Sequence, residues 1–359
     1  MKRLIALALA MLLCCTAAFA EERETDEQLE RLAFGDGARP ELGDEERAER
    51  GAGGPGGNGE KGQGGPGQDG GNRGNGAGGM SVAAEPDEAL QAILHEVQDK
   101  FQLLSFTDPE SGIELQYQLF VPENYSEDEE YPLIMFIPDS RAPGREASYV
   151  LTIGWGGVVW ATAEEQAKHP CFVMVPVFTE TVVDDDFNTS DQIDVAVHII
   201  ENLTKNYSID TNRLYTTGQS MGGMTSFHLN VKYPDLFAAS LFVGSQWDNT
   251  LLDVLEEDSF FYIVSAGDDK ASTGQTGLME VFDADGVAYA HAEWSAQDDG
   301  ETQNAAVEAL IAEGCQANFV TFTKGTTLTD GAGGSEHLTS FDYAYKLEAV
   351  RDWLFEQSK

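Results

Sequence analysis

Ser220 lies inside a G-x-S-x-G pentapeptide, Gly218–Gly222. The apolar, β-prone run Arg213–Thr217 precedes it, and an amphipathic stretch from Met224 to Tyr233 follows. A strand, a sharp turn and a helix in this order predict a nucleophilic serine, because the turn raises the hydroxyl above the edge of the sheet. Positions 218 and 222 must be small, since a Cβ there would strike the neighbouring strand or helix. The alternative interpretation is a tight glycine-rich connection with a solvent-facing serine.

The elements that would position this serine alternate along the chain from about residue 88 onwards. Near-continuous apolar runs such as Leu133–Ile137 are typical of a sheet covered on both faces. The first two strands have hairpin character around Asp108–Gly112, and helices separate the later strands. These features predict the α/β class and, within it, the α/β-hydrolase fold: a mostly parallel central sheet with an antiparallel first hairpin and helices on both faces. The predicted strands are Phe101–Thr107, Glu114–Val121, Leu133–Pro138, Phe172–Val177, Arg213–Thr217, Ala239–Val243, Phe260–Ala266 and Asn318–Thr323; the predicted helices are Thr189–Tyr207, Met221–Tyr233, Ala305–Glu313 and Tyr343–Gln357.

A serine hydroxyl is a weak nucleophile at neutral pH and needs a base, which in turn needs a group to orient it. In this fold the chain order is serine, then acid, then histidine, so only His291 and His337 come late enough. His337 follows a glycine-rich segment after the last predicted strand, whereas His291 resembles part of a strand, and His337 is therefore the predicted base. The acid should follow the strand Phe260–Ala266, where composition alone leaves Asp268 and Asp269 open.

Ester and amide hydrolysis also require two N–H donors for the oxyanion that forms on the carbonyl oxygen. One predicted donor is the N–H of Met221, which begins the helix after the serine. The other should come from the loop after the third strand, and the amides of Ser140 and Arg141 are the candidates.

The block Ile209–Met224 resembles the elbow of the polyhydroxybutyrate-depolymerase and esterase-like branch of the α/β hydrolases, and it is also similar to prolyl-oligopeptidase-like esterases. Residues 122–133 resemble that branch's entry to the third strand, and the similarity covers roughly residues 98–356. The resemblance implies that the acid is the aspartate of a Gly-Asp pair, which favours Asp268. The sequence departs from the family at Asp139-Ser140, where His-Gly is common, and this leaves the second oxyanion donor open.

Aromatic and polar residues near the predicted strand ends are candidates for binding the substrate. Trp155, which glycines flank, Gln219 beside the serine, and Trp247 after the sixth strand are predicted to line the acyl or aryl pocket. Trp160 fits a pocket wall and a packed core equally well. Metal ligation is not predicted, because two cysteines without paired spacing give no zinc site and the acidic runs lack the spacing of a calcium loop.

The chain of 359 residues begins with a basic pair and an apolar run that end in Ala18–Ala20, so residues 1–20 are predicted to be a secretory signal peptide. Residues 21–87 are predicted to be a disordered acidic and glycine-rich linker, in which the charged segment 21–34 could contact a cell surface, and residues 88–359 the catalytic domain. A net charge of −41 argues against nucleic-acid and membrane-surface partners. Cys171 and Cys315, on strands not expected to be neighbours, are predicted to be free buried thiols.

These patterns predict a secreted serine esterase that cleaves short acyl, aryl or hydroxyacyl esters, including polysaccharide-linked ones, through Ser220, His337 and Asp268 without a cofactor. A prolyl-oligopeptidase-like peptidase is the first alternative, although the segment before residue 88 cannot build a propeller domain. A catalytically silent surface binding protein is the second alternative, and a missing member of the triad would have favoured it.

Overall fold

The structure is a computed structural model in which residues 87–328 and 334–359 are described. Its centre is a nine-stranded sheet with the order β1-β2-β4-β3-β5-β6-β7-β9-β8. The strands β1 to β9 are, in chain order, Gln102–Thr107, Glu114–Phe120, Tyr131–Ile137, Phe172–Val177, Ile209–Gln219, Ala239–Val243, Phe260–Ser265, Tyr289–Trp294 and Ala317–Phe322. Strand β2 pairs antiparallel with β1 and β4, and every other pair is parallel.

The α-helices cover both faces of this sheet. Helices α1 to α9 are Glu88–Val97, Tyr149–Thr152, Ala163–Lys168, Gln192–Asn206, Met221–Lys232, Asp269–Asp285, Gly300–Ile311, Glu336–Lys346 and Glu348–Glu356. Short 3-10 segments lie at Gln98–Lys100, Trp155–Gly157, Val159–Ala161 and Asn249–Glu257.

Strand β3 illustrates how the sequence forms this layered arrangement. Leu133, Met135 and Ile137 belong to one buried apolar cluster, which includes α4, α5 and α6. Ile134 and Phe136 belong to the other, which includes α7, α8 and α9. Alternate side chains of a strand point to opposite faces, so a strand that is apolar at every position requires cover on both sides. The predicted α/β-hydrolase architecture is confirmed.

Several predicted elements differ in detail from the structure. Strand β8 contains His291 and is an additional parallel edge strand. Helix α6 was not predicted. The single predicted helix Tyr343–Gln357 is two helices, α8 and α9, which are separated at Leu347. His337 therefore lies in the first turn of α8 and not in a loop.

The two cysteines behave partly as predicted. Both are free, and strands β4 and β9 are not neighbours in the sheet. Cys171 is buried, and its burial raises the pKa of the thiol well above its usual value. Cys315, which lies before the start of β9, is only half-buried, and this corrects the prediction of two buried thiols.

The predicted signal peptide, residues 1–20, and all but the last residue of the predicted linker 21–87 lie outside the described residues. Asp87, the last residue of that linker, accepts a hydrogen bond from the N–H of Leu90 and caps α1. Within residues 87–328 and 334–359, none of the helices combines the length and the apolar character that a bilayer crossing requires.

Candidate active site

Ser220 lies between the end of β5 and the start of α5. Its φ of 53° and ψ of −119° place it in a region that non-glycine residues rarely adopt. A Cβ on Gly222 would lie 1.9 Å from the carbonyl oxygen of Ile137, and one on Gly218 would lie 2.3 Å from the carbonyl oxygen of Gly222. The glycines are thus required by backbone contact, and the strained serine is held from both sides.

Three predicted residues meet at this turn. The Oγ of Ser220 lies 2.8 Å from Nε2 of His337, and Nδ1 of His337 lies 2.5 Å from Oδ2 of Asp268. A neutral imidazole with its proton on Nδ1 donates to the carboxylate and leaves Nε2 free to accept the serine proton. The three side chains therefore form a continuous hydrogen-bonded relay.

Asp268 and Asp269 have different surroundings, which the sequence could not show. Asp268 is 7% exposed and is the N-cap of α6, where its Oδ1 accepts a hydrogen bond from the N–H of Ala271. Asp269 is exposed on the first turn of the helix. The cap contact fixes one oxygen of Asp268 and directs the other toward His337, so the structure brings Asp268 and not Asp269 to the relay.

His337 is oriented by side chains of its own helix and of two neighbouring segments. The Oγ of Ser340 donates to the carbonyl of His337 at 2.9 Å, and the Phe341 ring packs edge-on against the imidazole with centroids 5.0 Å apart. The adjacent Glu336 accepts hydrogen bonds from the Oγ of Ser265 at 2.7 Å and from the N–H of Gly325 at 2.8 Å. These contacts join the start of α8 to the ends of β7 and β9.

The candidate oxyanion donors come from the segment after β3 and from the start of α5. Ser140 and Met221 both line the cavity that contains Ser220 and His337. The N–H of Arg141 donates to Oδ1 of Asp139 at 2.9 Å, so this amide is already engaged. The N–H of Ser140 meets no acceptor within the described part of the chain. The geometry therefore favours Ser140 over Arg141 as the second donor.

The cavity over the serine has a volume of about 450 Å³ and is open to solvent on one side. Its apolar walls come from Val183, Met224 and Ala271. At its rim, Nζ of Lys270 lies 2.6 Å from Oδ2 of Asp185, and this ion pair links α6 to the loop between β4 and α4. The loop contribution was not predicted, because its acidic residues indicated only a solvated surface.

The structure does not bring the three predicted pocket residues to this cavity. Trp155 packs beneath Lys346, whose Nζ lies 4.7 Å from the centre of the indole ring. Gln219 is fully buried and donates from Nε2 to Oδ2 of Asp139 at 2.8 Å. Trp247 is 4% exposed and packs against Phe187. Proximity in sequence to the serine or to a strand end therefore did not place these three side chains in the cavity.

Trp160 is fully buried in the cluster that contains α8 and α9, so it is a core residue and not a pocket wall. Its indole nitrogen donates to the carbonyl of Gly156 at 2.8 Å. A Cβ on Gly156 would lie 2.3 Å from the Phe136 ring, so the glycines of this segment permit close packing and do not indicate an exposed loop.

A group of potential metal ligands lies elsewhere in the described residues. Glu165, His169 and Asp352 offer ligand atoms within 4.8 Å of one another. Arg351 donates to Glu165 at 2.9 Å, and the nearest approach of His169 to Asp352 is 2.8 Å. Glu165 is thus paired with Arg351 and His169 with Asp352, and none of the three potential ligands lines the cavity over Ser220.

Comparison with known proteins gives a likeness only at the level of structure. No known family profile and no curated protein matches the chain. A thermostable esterase of known structure is 25% identical, with a TM-score of 0.58, over 73% of this chain and 64% of its own chain. The chain thus spans less than two thirds of that esterase.

Two other solved structures are more distant. A ferulic acid esterase from Anaeromyces mucronatus is 10% identical over 70% of this chain and 91% of its own, with a TM-score of 0.44. The s-formylglutathione hydrolase from Staphylococcus aureus is 12% identical over 71% of this chain and 98% of its own, with a TM-score of 0.41. At these scores neither bears on the chemistry.

With its nine-stranded sheet, its strained serine turn and its likeness to the thermostable esterase, this chain is a member of the α/β-hydrolase superfamily.

Proposed function

We propose that the protein is a serine esterase that hydrolyses carboxylic esters through an acyl-enzyme. The observation that carries this proposal is the relay from Ser220 through His337 to Asp268, with distances of 2.8 and 2.5 Å, at the wall of an open cavity. A serine, a base that can take its proton and a carboxylate that orients the base are the groups that acyl transfer requires.

The reaction follows from the roles of these groups. His337 Nε2 takes the hydroxyl proton as Ser220 Oγ attacks the ester carbonyl carbon, and the carbonyl oxygen becomes an oxyanion that the amides of Met221 and Ser140 stabilise. The C–O bond to the alcohol breaks, and His337 returns the proton to the departing oxygen. Water then attacks the acyl-enzyme by the same route and releases the carboxylic acid and free Ser220.

The substrate class proposed for the site is a short acyl, aryl or hydroxyacyl ester, including esters carried on a polysaccharide. Val183, Met224 and Ala271 give an apolar wall of modest size, which suits a short acyl or aryl group. The open side of the cavity leaves room for a larger alcohol portion. We further propose that the mature protein is secreted after removal of residues 1–20, that no cofactor takes part, and that segment 21–34 contacts a cell surface.

Labelling with a fluorophosphonate probe tests this function directly. We expect the purified wild-type protein to become covalently modified, and Ser220→Ala and His337→Ala to lose the modification. Ser245→Ala is the matched control, because Ser245 also lines the cavity but its Oγ has no hydrogen-bond partner among the described residues. We expect this variant to label like wild type.

Two further outcomes decide between the alternatives. Wild type should hydrolyse aryl acetates at least about 10³-fold faster than Ser220→Ala, since removal of a triad member costs several orders of magnitude. Preferential cleavage of peptide anilides over the matching esters would favour the peptidase. A folded wild-type protein that neither labels nor hydrolyses esters would favour the binding protein and contradict our proposal.

A further inference from the structure

Asp139 is a buried carboxylate at the point where the α/β-hydrolase branch commonly has histidine. It is 2% exposed, and its two oxygens accept four hydrogen bonds. Three come from Arg141, from its N–H at 2.9 Å, Nε at 2.8 Å and Nη2 at 2.7 Å. The fourth comes from Nε2 of Gln219 at 2.8 Å. A buried charge is stable only when it is paired and hydrogen-bonded in this way.

One of these four bonds, from Nε2 of Gln219, connects the two segments that carry the proposed oxyanion donors. Asp139 precedes Ser140, whose amide is the second candidate donor, and Gln219 precedes Ser220, whose successor Met221 provides the first. The contacts between Asp139 and Arg141 also close the turn after β3, where the N–H of Ala142 donates to the carbonyl of Asp139 at 3.1 Å. Asp139 therefore contacts the residue after Ser140 and the residue before Ser220, and it links the two segments that carry the donors.

The position of the Ser140 amide depends on which amide Asp139 engages. Oδ1 of Asp139 takes the N–H of Arg141, and the N–H of Ser140 meets no acceptor in the described residues. The guanidinium of Arg141 donates to both oxygens of Asp139, and this bidentate contact fixes the plane of the carboxylate.

We infer that Asp139 is a positioning residue of the oxyanion hole, which holds the amides of Ser140 and Met221 in register through Arg141 and Gln219. This inference rests on the proposed esterase function and adds to it a group that never touches the substrate. Its contribution is to the transition state, because the oxyanion forms only there, and ground-state binding of the ester does not require it.

The variant Asp139→Asn tests the inference with little change of volume. The neutral amide cannot accept all four hydrogen bonds, so the turn should lose its fixed register. We expect kcat to fall about 10- to 100-fold with KM within about threefold of wild type, less than the 10²- to 10³-fold typical of losing a whole donor. Fluorophosphonate labelling should slow in parallel, because the reacting phosphoryl oxygen uses the same donors.

Glu165→Gln is the matched control. Glu165 is also a buried carboxylate, 1% exposed, and accepts from Nε of Arg351 at 2.9 Å, but it lies outside the cavity. We expect a comparable loss of stability in denaturant unfolding and an unchanged kcat. Equal kcat values in Asp139→Asn and Glu165→Gln, with equal losses of stability, would overturn the inference.

A second variant and a second measurement keep the test decisive. Gln219→Met removes the Gln219 donor and leaves the contacts of Arg141 in place, and we expect a fall in kcat of about 3- to 10-fold. Hydrogen exchange of the peptide that contains residues 138–142 should accelerate in Asp139→Asn and not in Glu165→Gln. Hydrogen exchange can be measured without catalysis, so unchanged exchange in Asp139→Asn would overturn the inference about Asp139. A wild-type protein that hydrolyses no ester would instead contradict only the proposed function.

Discussion

The two halves of the relay are held by different means. On one side Ser220 is fixed by backbone contact, with Gly218 and Gly222 packed so closely that no Cβ fits. On the other side His337 is fixed by side chains, through Asp268, the neighbouring Glu336 and the edge of Phe341. The small size of the two glycines thus positions Ser220, and hydrogen bonds and ring packing position His337.

The two ways of holding the relay lead to different tolerance of substitutions in its two halves. Close backbone contact leaves no way to relax around an added atom, since protein interiors are packed like organic crystals. Hydrogen bonds between side chains are each worth only about 1 kcal/mol net, or somewhat more when one partner is charged. The serine half should therefore fail abruptly on substitution, and the histidine half should weaken in steps.

The largest expected effect is that of an added methyl group in the serine half. Gly222→Ala would place Cβ 1.9 Å from the carbonyl oxygen of Ile137, and we expect a loss of about 3 kcal/mol or more in the free energy of unfolding. Gly334→Ala is its counterpart in the histidine half, where the nearest atom, Cγ2 of Thr339, lies at 3.4 Å. We expect this variant to stay within about 0.5 kcal/mol of wild type. Urea unfolding of both variants makes the comparison, and similar losses would contradict it.

A smaller effect is expected where Glu336 joins α8 to the strand ends. Glu336→Ala removes the acceptor of Ser265 and Gly325, and we expect about 2 kcal/mol less stability and a roughly tenfold lower kcat, because His337 loses its fixed neighbour. Glu336→Gln keeps one neutral acceptor, so its stability and its kcat should lie between those of wild type and Glu336→Ala. Glu313→Ala, an exposed carboxylate after α7, is the control. If kcat is unchanged in Glu336→Ala while stability falls, the carboxylate supports the fold alone.

The sequence could predict the serine half more fully than the histidine half. The glycines at 218 and 222, and the apolar runs in β3 and β5, are local signals that lie next to the serine in the sequence. Chain order then identified His337, but not its helix. The break at Leu347, where ψ is 95°, separates α8 from α9, and only tertiary packing sets it. A signal for the start of α8 was present in Ser335, whose Oγ accepts the N–H of Leu338 at 3.4 Å.

Helix α6 and the pocket residues show where sequence reasoning failed. Gly274 and Gly277 lower the helix propensity of α6. A Cβ on Gly274 would lie 2.6 Å from Cβ of Gln246, and one on Gly277 would lie 2.0 Å from Nδ2 of Asn249, so both glycines allow close packing of the helix. Trp155 was predicted to line the pocket partly because glycines flank it, but a Cβ on its neighbour Gly156 would likewise strike the Phe136 ring. A glycine required by close packing and a glycine in a loop look alike in sequence.

Asp258 is a carboxylate without the hydrogen-bond partners that Asp268 and Glu336 have. It precedes β7, the strand that leads to Asp268, and its Oδ2 is buried with no hydrogen-bond partner among the described residues. Burial, with a smaller contribution from the negative charges of Asp235 and Glu257, raises the pKa of Asp258 from 3.8 to about 6. A partnerless carboxylate therefore opposes folding once it is ionised.

The sign of the pH dependence follows from this raised pKa. The folded state binds the Asp258 proton more tightly than the unfolded state, so its contribution to stability is fully present below about pH 4 and is lost as the pH rises through about 6. We expect Asp258→Asn to be on the order of 1 kcal/mol more stable than wild type at pH 7.5 and no more stable at pH 4. Asp253→Asn, an exposed site in the 3-10 segment that precedes Asp258, should show no such difference between the two pH values. Urea unfolding at both pH values measures the difference in stability between Asp258→Asn and wild type. A gain that does not change with pH would mean that Asp258 does not differ from Asp268 and Glu336 through burial without a partner.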